Sequence, residues 1–549
     1  MNNNEMSVFA KTIMEQKYSQ IKSDGSKETW EEIAKRVVKN VMKSVGFKIN
    51  DPLCKELIQI ITDRKFIPGG RYLYASGRPY HQVQNCLLLK VEDSKESWAE
   101  LMQKAVLGLS TGAGIGVDYS ALRAEGKLIR KTGGSATGPI ALMQMINEAG
   151  RGIMQGGSRR SAIWAGLNWK HPDIHKFIHI KDWSDDIKKL KEKDFSFPAT
   201  LDGTNISVQL DDDFFDAYFD DKHSLHSHAN SVYRSTIRQM LETAEPGFSV
   251  DAGKNKGETL RNACTELTSF DDSDICNLGS INLSRITSLE EMSKIVRLAT
   301  IFLLAGTIYS DVPYAKVDQI RTKNRRIGLG LMGIHEWLLM NGKQYGPDEE
   351  LKKYLEIYET SGNIANDFAD KWDISRPLKT RAIAPTGSIG ILSETSTGIE
   401  PIFCVAFKRR YLKHKTWHYQ YVIDPTAKRL IEEKKINPNL IEDAYSIDVE
   451  RRVAFQAWVQ QFVDHAISST INLPAWGSEA NNDSKVVEFG DMLIKYLPKV
   501  RGLTVYPDGA RSGQPLEPTS YEDAINQIGN IFIESVDICD ISKSGSCGS

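Results

Sequence analysis

The chain has 549 residues, of which 41% are hydrophobic and 26% are charged, and its formal net charge is -2 at pH 7. This composition is typical of a soluble globular protein with one large or two to three smaller domains. The near-neutral charge argues against a nucleic-acid-binding or membrane-binding surface. Residues 1–11 do not combine a basic segment with an apolar one, so we expect no secretory signal.

The first part of the chain is predicted to be helical. Apolar residues recur at helical spacing among charged residues over 7–64. Short strands and helices with glycine-rich turns are predicted from residue 86 to about 177. The lysine- and aspartate-rich segment 181–194 predicts a solvated helix or loop. Strands and helices then resume and continue to residue 505.

The remaining segments complete a division into three parts. The apolar stretch 299–309 is too short to span a bilayer and predicts a buried helix. A last helix is predicted over 521–536, followed by a small, polar tail. We therefore expect an N-terminal helical region (1–85), a mixed α/β domain (86–512) and a C-terminal helix with its tail (513–549).

The seven cysteines are too sparse for a disulfide scaffold. No Cys-x-x-Cys pair and no histidine cluster has the spacing of metal ligands, so we expect no metal site. A cytoplasmic location with reduced thiols follows from this pattern. Cys54 and Cys404 lie outside any motif and are expected to be structural.

One triplet points to chemistry. Asn262, Cys264 and Glu266 are spaced two apart, so in an extended or finger-loop segment their side chains face one small volume. A thiol there could attack, a carboxylate could move a proton and an amide could hold a hydroxyl group. Taken alone, however, a cysteine is more often a packing residue than a nucleophile.

Three motifs resemble the ribonucleotide reductases. Asn-Ala-Cys-Thr-Glu at 262–266 and Cys-Asn-Leu-Gly-Ser at 276–280 are similar to the active-site finger loop of that family. Asn-Cys-Leu-Leu-Leu at 85–89 is similar to the family's strand that carries the redox partner of the cysteine at position 276. The resemblance covers nearly the whole chain and implies a ten-stranded α/β barrel of two antiparallel five-stranded halves around a finger loop. The family's N-terminal ATP-binding cone is expected to be missing.

The resemblance implies a role for each cysteine of the site. Cys264 would carry a thiyl radical, Glu266 would be the general base for the 3′-hydroxyl, and Asn262 would bind the ribose hydroxyls. Cys86 and Cys276 would be the dithiol pair that reduces a ribonucleotide to a 2′-deoxyribonucleotide and becomes a disulfide. That disulfide must then be reduced by an accessible thiol.

Two glycine-containing segments are assigned to the substrate through the same resemblance. Thr386, Gly387, Ser388 and Ile389 follow a short apolar strand and open a predicted helix, where phosphate groups would bind. By itself the Pro-Thr-Gly-Ser sequence is also an ordinary turn. Gly114, in Gly-Ala-Gly-Ile-Gly, would line the sugar, and the missing third glycine argues against a dinucleotide-binding motif.

An effector site for nucleoside triphosphates (dNTPs or ATP) is also implied. Asp93 and Arg123 match effector-binding positions, and residues 131–137 would form a first effector loop. The second loop would contain Ser158, Arg159 and Arg160, whose guanidinium groups can donate bidentate hydrogen bonds. In the family these elements lie at a dimer interface, so the resemblance implies a homodimer.

The tail cysteines and the radical source complete the predictions. Cys539 and Cys547 would pass electrons from a thioredoxin- or glutaredoxin-type reductant, although Cys539 could instead be a packing residue.

The segment around Tyr506 has one tyrosine where members with a separate metal-containing radical subunit (class I) have two. This difference favours adenosylcobalamin as the cofactor (class II). In the class I alternative, radical transfer would cross Tyr506, or a shifted aromatic residue such as Tyr411 or Tyr421, and no cofactor would bind this chain.

Two further readings of the sequence stay open. The chain could be an inactive homologue that binds nucleotides, but such a protein has no need for all five residues of the triplet and the dithiol pair. It could also be a thiol oxidoreductase without a radical, which would not explain the effector loops.

Overall fold

The computed structural model describes residues 6–130, 133–155, 159–194, 196–253, 256–413, 416–510 and 516–533. The chain begins with α1 (Val8–Lys17), α2 (Trp30–Lys43), α3 (Pro52–Thr62), β1 (Phe66–Pro68) and α4 (Gly70–Ala75). In α2, Thr29 and Glu32 form a reciprocal capping box, and the apolar residues recur on one buried face. The predicted helical region is confirmed, except that β1 is a strand and pairs with the main sheet.

The next part alternates strands and helices. Its elements are β2 (Cys86–Lys90), α5 (Lys95–Ser110), β3 (Gly114–Asp118), α6 (Gly138–Gly152), β4 (Met154–Gln155), β5 (Arg159–Arg160), β6 (Ile163–Asn168), α7 (Ile174–Ile178), α8 (Asp185–Lys193), β7 (Thr204–Asp211), α9 (Asp212–Phe219), α10 (His226–Thr243) and β8 (Gly247–Asp251). Within the predicted solvated segment, α8 is a helix, but Lys181 and Lys191 are buried beside carboxylates.

The remaining elements follow a similar alternation. They are β9 (Leu260–Arg261), β10 (Thr268–Ser269), β11 (Asp274–Asn282), α11 (Leu289–Tyr309), α12 (Ala315–Asn324), β12 (Ile327–Met332), α13 (Ile334–Met340), α14 (Glu349–Glu359), α15 (Ser361–Lys371), α16 (Gly387–Ser393), β13 (Ala406–Lys413), β14 (Thr416–Ile423), α17 (Pro425–Lys434), α18 (Val449–Gln460), β15 (Thr470–Leu473), α19 (Lys485–Leu493), β16 (Gly502–Pro507), β17 (Leu516–Pro518), α20 (Tyr521–Gln527) and β18 (Ile531–Ile533). Helix α20 ends well before residue 536, so the predicted last helix was too long.

The main sheet has two groups of parallel strands. In the first group β2, β3, β6, β7 and β8 run parallel in that order. In the second group β11 is parallel to β12, and β15 is parallel to β16. The groups meet through antiparallel pairs of β2 with β11 and of β8 with β16.

Residues 381–383 connect the second group. Leu329 of β12 forms a parallel bridge with Arg381, and Ile383 forms one with Ile467, just before β15. Each group therefore contains parallel chain segments, and the two groups are antiparallel to each other. The predicted mixed α/β fold with a large sheet is confirmed.

Helices cover the sheet and enclose the apolar core. One cluster of buried residues lies between the second strand group, α2, α3 and α11, and a second lies between the first group and its helices. Within the described residues, α11 alone has the length and apolarity of a membrane span, and 72% of its most apolar window is buried in the protein. The predicted buried helix is confirmed, but it begins at Leu289 and is longer than expected.

Candidate active site

The candidate site is built around a hairpin between β8 and β11. Strands β9 and β10 pair antiparallel, and residues 262–267 form the tip. The Thr265 N–H donates to the Asn262 carbonyl at 3.0 Å, and Thr265 has a φ of 66°. This tight turn leaves the Cys264 side chain exposed, whereas Asn262 and Glu266 are buried. We call residues 252–273 the finger loop.

Glycines of β3 let the finger loop approach the sheet. A Cβ atom at Gly116 would lie 1.9 Å from the carbonyl oxygen of Arg261, and one at Gly114 would lie 3.1 Å from Cβ of Ala263. A side chain at Gly116 would therefore displace the loop. The Gly-Ala-Gly-Ile-Gly segment, predicted to line the substrate sugar, contacts the loop that carries Cys264.

Cys86 and Cys276 are direct cross-strand neighbours. They occupy paired positions of the antiparallel strands β2 and β11, and both thiols are reduced and buried. Directly opposite residues of antiparallel strands have Cα atoms about 4.5–5.5 Å apart, which is within the range that a disulfide spans. Burial raises the pKa of each thiol well above its usual value, so both are protonated at neutral pH.

Cys86 brings the predicted residues together. Its pKa is raised first by burial and then by Glu266, Cys276 and Cys264, while a hydrogen bond with Asn262 lowers it. The Cys86 thiol donates to Oε1 of Glu266 at 4.0 Å. The other four residues, Asn262, Cys264, Glu266 and Cys276, therefore lie within interaction distance of Cys86.

Glu266 has the properties of a base. Burial raises its pKa to about 7, and a hydrogen bond with Asn262 opposes that shift. Its Oε2 atom is buried and has no hydrogen-bond partner within the described part of the chain. The Asn262 side-chain oxygen also accepts from the N–H of Leu267 at 3.0 Å, which fixes the amide. The second carboxylate oxygen is thus available to a hydroxyl group.

Buried ion pairs hold the base of the finger loop. The Glu258 carboxylate contacts Lys379 and lies 3.1 Å from Nη2 of Arg326, and it accepts from Thr268 Oγ1 at 2.8 Å. Burial raises the pKa of Glu258, but the two cations outweigh this effect and the net shift is downward. No motif predicted this cluster, because its members come from separate parts of the sequence.

The predicted phosphate segment begins α16. Thr386 has a φ of 49°, and its side-chain oxygen accepts from the Gly398 N–H at 2.9 Å. A Cβ atom at Gly387 would meet nothing within 4 Å, so the space beside it is open. Ser388 is partly exposed, whereas Ile389 is buried, which leaves its backbone as the group available to a ligand.

A cavity of about 650 Å³ contains the predicted effector residues. Asp93 and Arg123 form an ion pair at 2.7 Å on its wall. The cavity also has polar lining residues that the sequence did not predict, namely Ser120, Lys127, Asn168, Lys170 and His171. They follow the adjacent parallel strands β3 and β6, and the carboxyl ends of neighbouring strands are a common ligand position.

Other predicted residues are only partly described. Arg159 and Arg160 form β5, which pairs with β4, and Ser158 lies outside the described residues. Tyr506 is partly exposed on β16. Cys539 and Cys547 lie outside the described residues. Among the residues that are described, no group of three or more His, Cys, Asp or Glu side chains could hold a metal ion.

Comparison with known proteins agrees with this architecture. The family model of the ribonucleotide reductase barrel domain matches residues 84–245, 221–362 and 377–503. The chain is 28% identical to the vitamin B12-dependent ribonucleoside-diphosphate reductase of Thermoplasma acidophilum, over 92% of this chain and 71% of the relative. It is 26% identical to the enzyme of that name from Mycobacterium tuberculosis, over 86% and 74%. It is 24% identical to a putative adenosylcobalamin-dependent ribonucleoside-triphosphate reductase of Mycobacterium phage D29, over 91% and 93%. Because the family model matches more than half of its length, the chain belongs to the ribonucleotide reductase family.

Proposed function

We propose that this chain reduces ribonucleotides to 2′-deoxyribonucleotides with adenosylcobalamin as its cofactor. The observation that carries the proposal is the convergence of a thiol pair, a base and an exposed cysteine around Cys86. A nucleotide-binding protein without turnover would not need this group of residues.

Each residue has a role that its surroundings support. The thiyl radical of Cys264 abstracts the 3′-hydrogen of the ribose, and Glu266 accepts the proton of the 3′-hydroxyl through its unpartnered oxygen. Asn262, fixed by its bond from Leu267, binds the ribose hydroxyl groups. Cys264 is exposed, whereas Asn262 and Glu266 are buried. This arrangement suits a substrate that approaches the tip of the finger loop.

The dithiol pair supplies the electrons. The carbon–oxygen bond at C2′ breaks, and the hydroxyl group leaves as water with a proton from one thiol. C2′ takes up the other hydrogen, and the sulfur atoms of Cys86 and Cys276 lose a pair of electrons and form a disulfide. Cys264 returns a hydrogen atom to C3′ and is again a radical, and Glu266 returns its proton to the 3′-oxygen. The cross-strand pairing of the two cysteines supports this step, because it places them directly opposite each other.

The surroundings of Cys264 fit adenosylcobalamin. When bound, this cofactor supplies a carbon-centred radical by homolysis of its cobalt–carbon bond. A large cofactor needs an accessible thiol, and Cys264 is exposed although the rest of the triplet is buried. The names of the relatives from Thermoplasma, Mycobacterium and the phage favour the same cofactor over a metal-containing radical subunit.

We further propose that the cavity of Asp93 and Arg123 binds dNTP or ATP effectors. Its three cationic side chains, Arg123, Lys127 and Lys170, suit a triphosphate. A homodimer is proposed with it, because in the family the effector elements lie at a dimer interface. Reduction of the disulfide would use Cys539, Cys547 and a thioredoxin- or glutaredoxin-type protein.

The test is deoxynucleotide formation by the purified chain. We expect product with a ribonucleoside diphosphate or triphosphate, an effector, a dithiol and adenosylcobalamin, and no product without the cofactor. Product that requires a metal-loaded second protein instead would identify class I. If no nucleotide is turned over, the chain is an inactive homologue. Disulfide exchange without nucleotide would indicate a thiol oxidoreductase.

A further inference from the structure

Residues 464–466 lie beside the finger loop and hold two of its backbone groups. The N–H of Ala466 donates to the carbonyl oxygen of Glu266 at 2.8 Å. Two residues further along the loop, the N–H of Thr268 donates to Nδ1 of His465 at 3.2 Å. The His465 ring thus supplies an acceptor to β10 where a neighbouring strand would supply a carbonyl oxygen. One short segment therefore holds the finger loop both at the proposed base and just after it.

This segment is itself fixed to the second strand group. The Asp464 carboxylate accepts from the N–H groups of Thr380 and Arg381 at 3.0 and 2.8 Å. The N–H of His465 donates to the carbonyl oxygen of Arg381 at 3.0 Å. Because residues 381–383 connect the strands of that group, the His465 ring has a fixed position relative to the sheet.

The surroundings of the His465 ring keep it neutral. The ring is fully buried, and its pKa is lowered well below the usual value, first by burial and then by four nearby cations. These cations are Lys379, Arg326, Arg501 and Arg261. A backbone N–H can only donate, so Nδ1 is the acceptor for Thr268 and the ring hydrogen lies on Nε2. Burial and charge thus keep the ring in the form that can accept from the loop.

We propose that His465 is a positioning residue that holds Glu266 in place for the proposed reaction. The inference rests on the proposed function, because it takes Glu266 as the base. His465 acts through the backbone of the finger loop and not on the substrate. Without its acceptor, the loop would open beside Glu266 and water would reach the carboxyl group. The pKa of Glu266, which burial raises to about 7, would then fall toward the ordinary value of 4.5.

The test compares two substitutions that place an acceptor at different positions. The amide oxygen of asparagine lies close to the position of Nδ1, and that of glutamine lies close to the position of Nε2. His465→Asn should therefore keep the bond from Thr268, and kcat/KM should still fall below a pH of about 7. In His465→Gln this fall should move from about 7 toward 4.5. Its kcat should also drop roughly 10–100-fold, because a displacement of about 1 Å can cost about 100-fold.

Two further variants control for folding. His465→Leu removes the acceptor without adding a polar group, and it should show the same shift as His465→Gln. His335→Gln is the matched control, because His335 is also fully buried and its Nδ1 accepts from the N–H of Ile402 at 2.9 Å, outside the finger loop. It should lower the melting temperature and leave the pH profile unchanged. The same profile in His465→Asn and His465→Gln, or an equal shift in His335→Gln, would overturn the role of His465.

A measurement without turnover separates this inference from the proposed function. The free energy of unfolding is measured between pH 4.5 and 7 for each variant, with and without Glu266→Gln, and the difference gives the pH dependence that Glu266 contributes. This contribution should be smaller in His465→Gln than in His465→Asn. Equal contributions would overturn the role of His465 even if the chain is an active reductase. A smaller contribution in His465→Gln, in a chain without turnover, would reject the proposed function and retain the effect of His465 on Glu266.

Discussion

The Cys86 thiol donates to Oε1 of Glu266 at 4.0 Å, so one member of the dithiol pair contacts the proposed base directly. Burial raises the pKa of Cys86 most, and a charged Glu266 raises it further. Ionisation of the base therefore keeps the thiol protonated, which is the form that can give up a hydrogen. This coupling links the proton-transfer and redox parts of the proposed reaction.

We expect Cys264→Ser to abolish reduction and to leave nucleotide binding nearly intact. A serine oxygen forms a radical far less readily than a cysteine sulfur, whereas the two side chains are nearly isosteric. Deoxynucleotide formation and equilibrium binding of substrate should be measured on the same preparation. If the variant still forms product, Cys264 is not the radical residue.

The pH dependence follows from Glu266, whose pKa burial raises to about 7. A base must be ionised, so kcat/KM should fall as the pH drops below about 7 and level off above it. Glu266→Gln should lower kcat by roughly 10²–10⁴-fold, the usual contribution of a general base, and remove this limb of the profile. If kcat/KM of Glu266→Gln still falls at low pH as it does in the unmodified chain, a group other than Glu266 titrates.

The same carboxyl group affects stability with the opposite sign. Its folded-state pKa of about 7 is higher than the ordinary value of 4.5, so folding favours the protonated form. The stabilisation by this proton is fully present below pH 4.5 and is lost as the pH rises through 7. In Glu266→Gln, unfolding monitored between these values should show a weaker decrease of stability with pH than in the unmodified chain.

The sequence predicted the residues of the site better than their surroundings. The motifs around Cys86, Cys264 and Cys276 pointed to one site, because the residues proposed to react are grouped in short segments. Glu258 could not be predicted in this way. Its partners Lys379 and Arg326 lie far away in the chain, and only the tertiary fold brings them together.

The boundaries of some helices and strands could not be predicted from the sequence, because they depend on tertiary contacts. Strand β1 has three residues and no pattern of its own, and it forms because its backbone pairs with β11. Helix α11 extends to Leu289 because Ser288 caps it and because its N-terminal turns pack on neighbouring helices. The polar lining of the cavity beside Asp93 and Arg123 could not be predicted from the sequence, because it depends on the pairing of β3 with β6.

The tail cysteines should matter for one type of reductant only. Changing both Cys539 and Cys547 to Ser should stop multiple turnover with a thioredoxin-type protein, because the disulfide inside the protein could no longer exchange with it. A small dithiol that reaches Cys86 and Cys276 directly should still support turnover. Equal losses with both reductants would indicate a role in folding.

Effector control should depend on Arg123 and Arg159 in different ways. Arg123→Gln should weaken effector binding about 10-fold or more, because it removes a charged donor from the cavity wall. Arg159→Ala should reduce the effect of the effector on base preference, a coupling that is typically ~1–3 kcal/mol. Arg151→Gln is the control, because Arg151 pairs with Glu148 and Asp202 and does not line this cavity. Unchanged base preference in Arg159→Ala would reject the role of the second loop.

The radical source can be tested at Tyr506, which is partly exposed on β16. If adenosylcobalamin generates the radical beside Cys264, no long-range electron transfer crosses Tyr506, and Tyr506→Phe should retain nearly full activity. If a separate metal-containing subunit generates it, the same variant should stop turnover, because phenylalanine is much harder to oxidise than tyrosine. The matched control is Tyr419→Phe, because Tyr419 lies on β14 and stacks on Phe532. Tyr506→Phe, Tyr419→Phe and the unmodified chain should be assayed with and without adenosylcobalamin. Cofactor-independent activity that is lost only in Tyr506→Phe would replace the cobalamin proposal with the class I alternative.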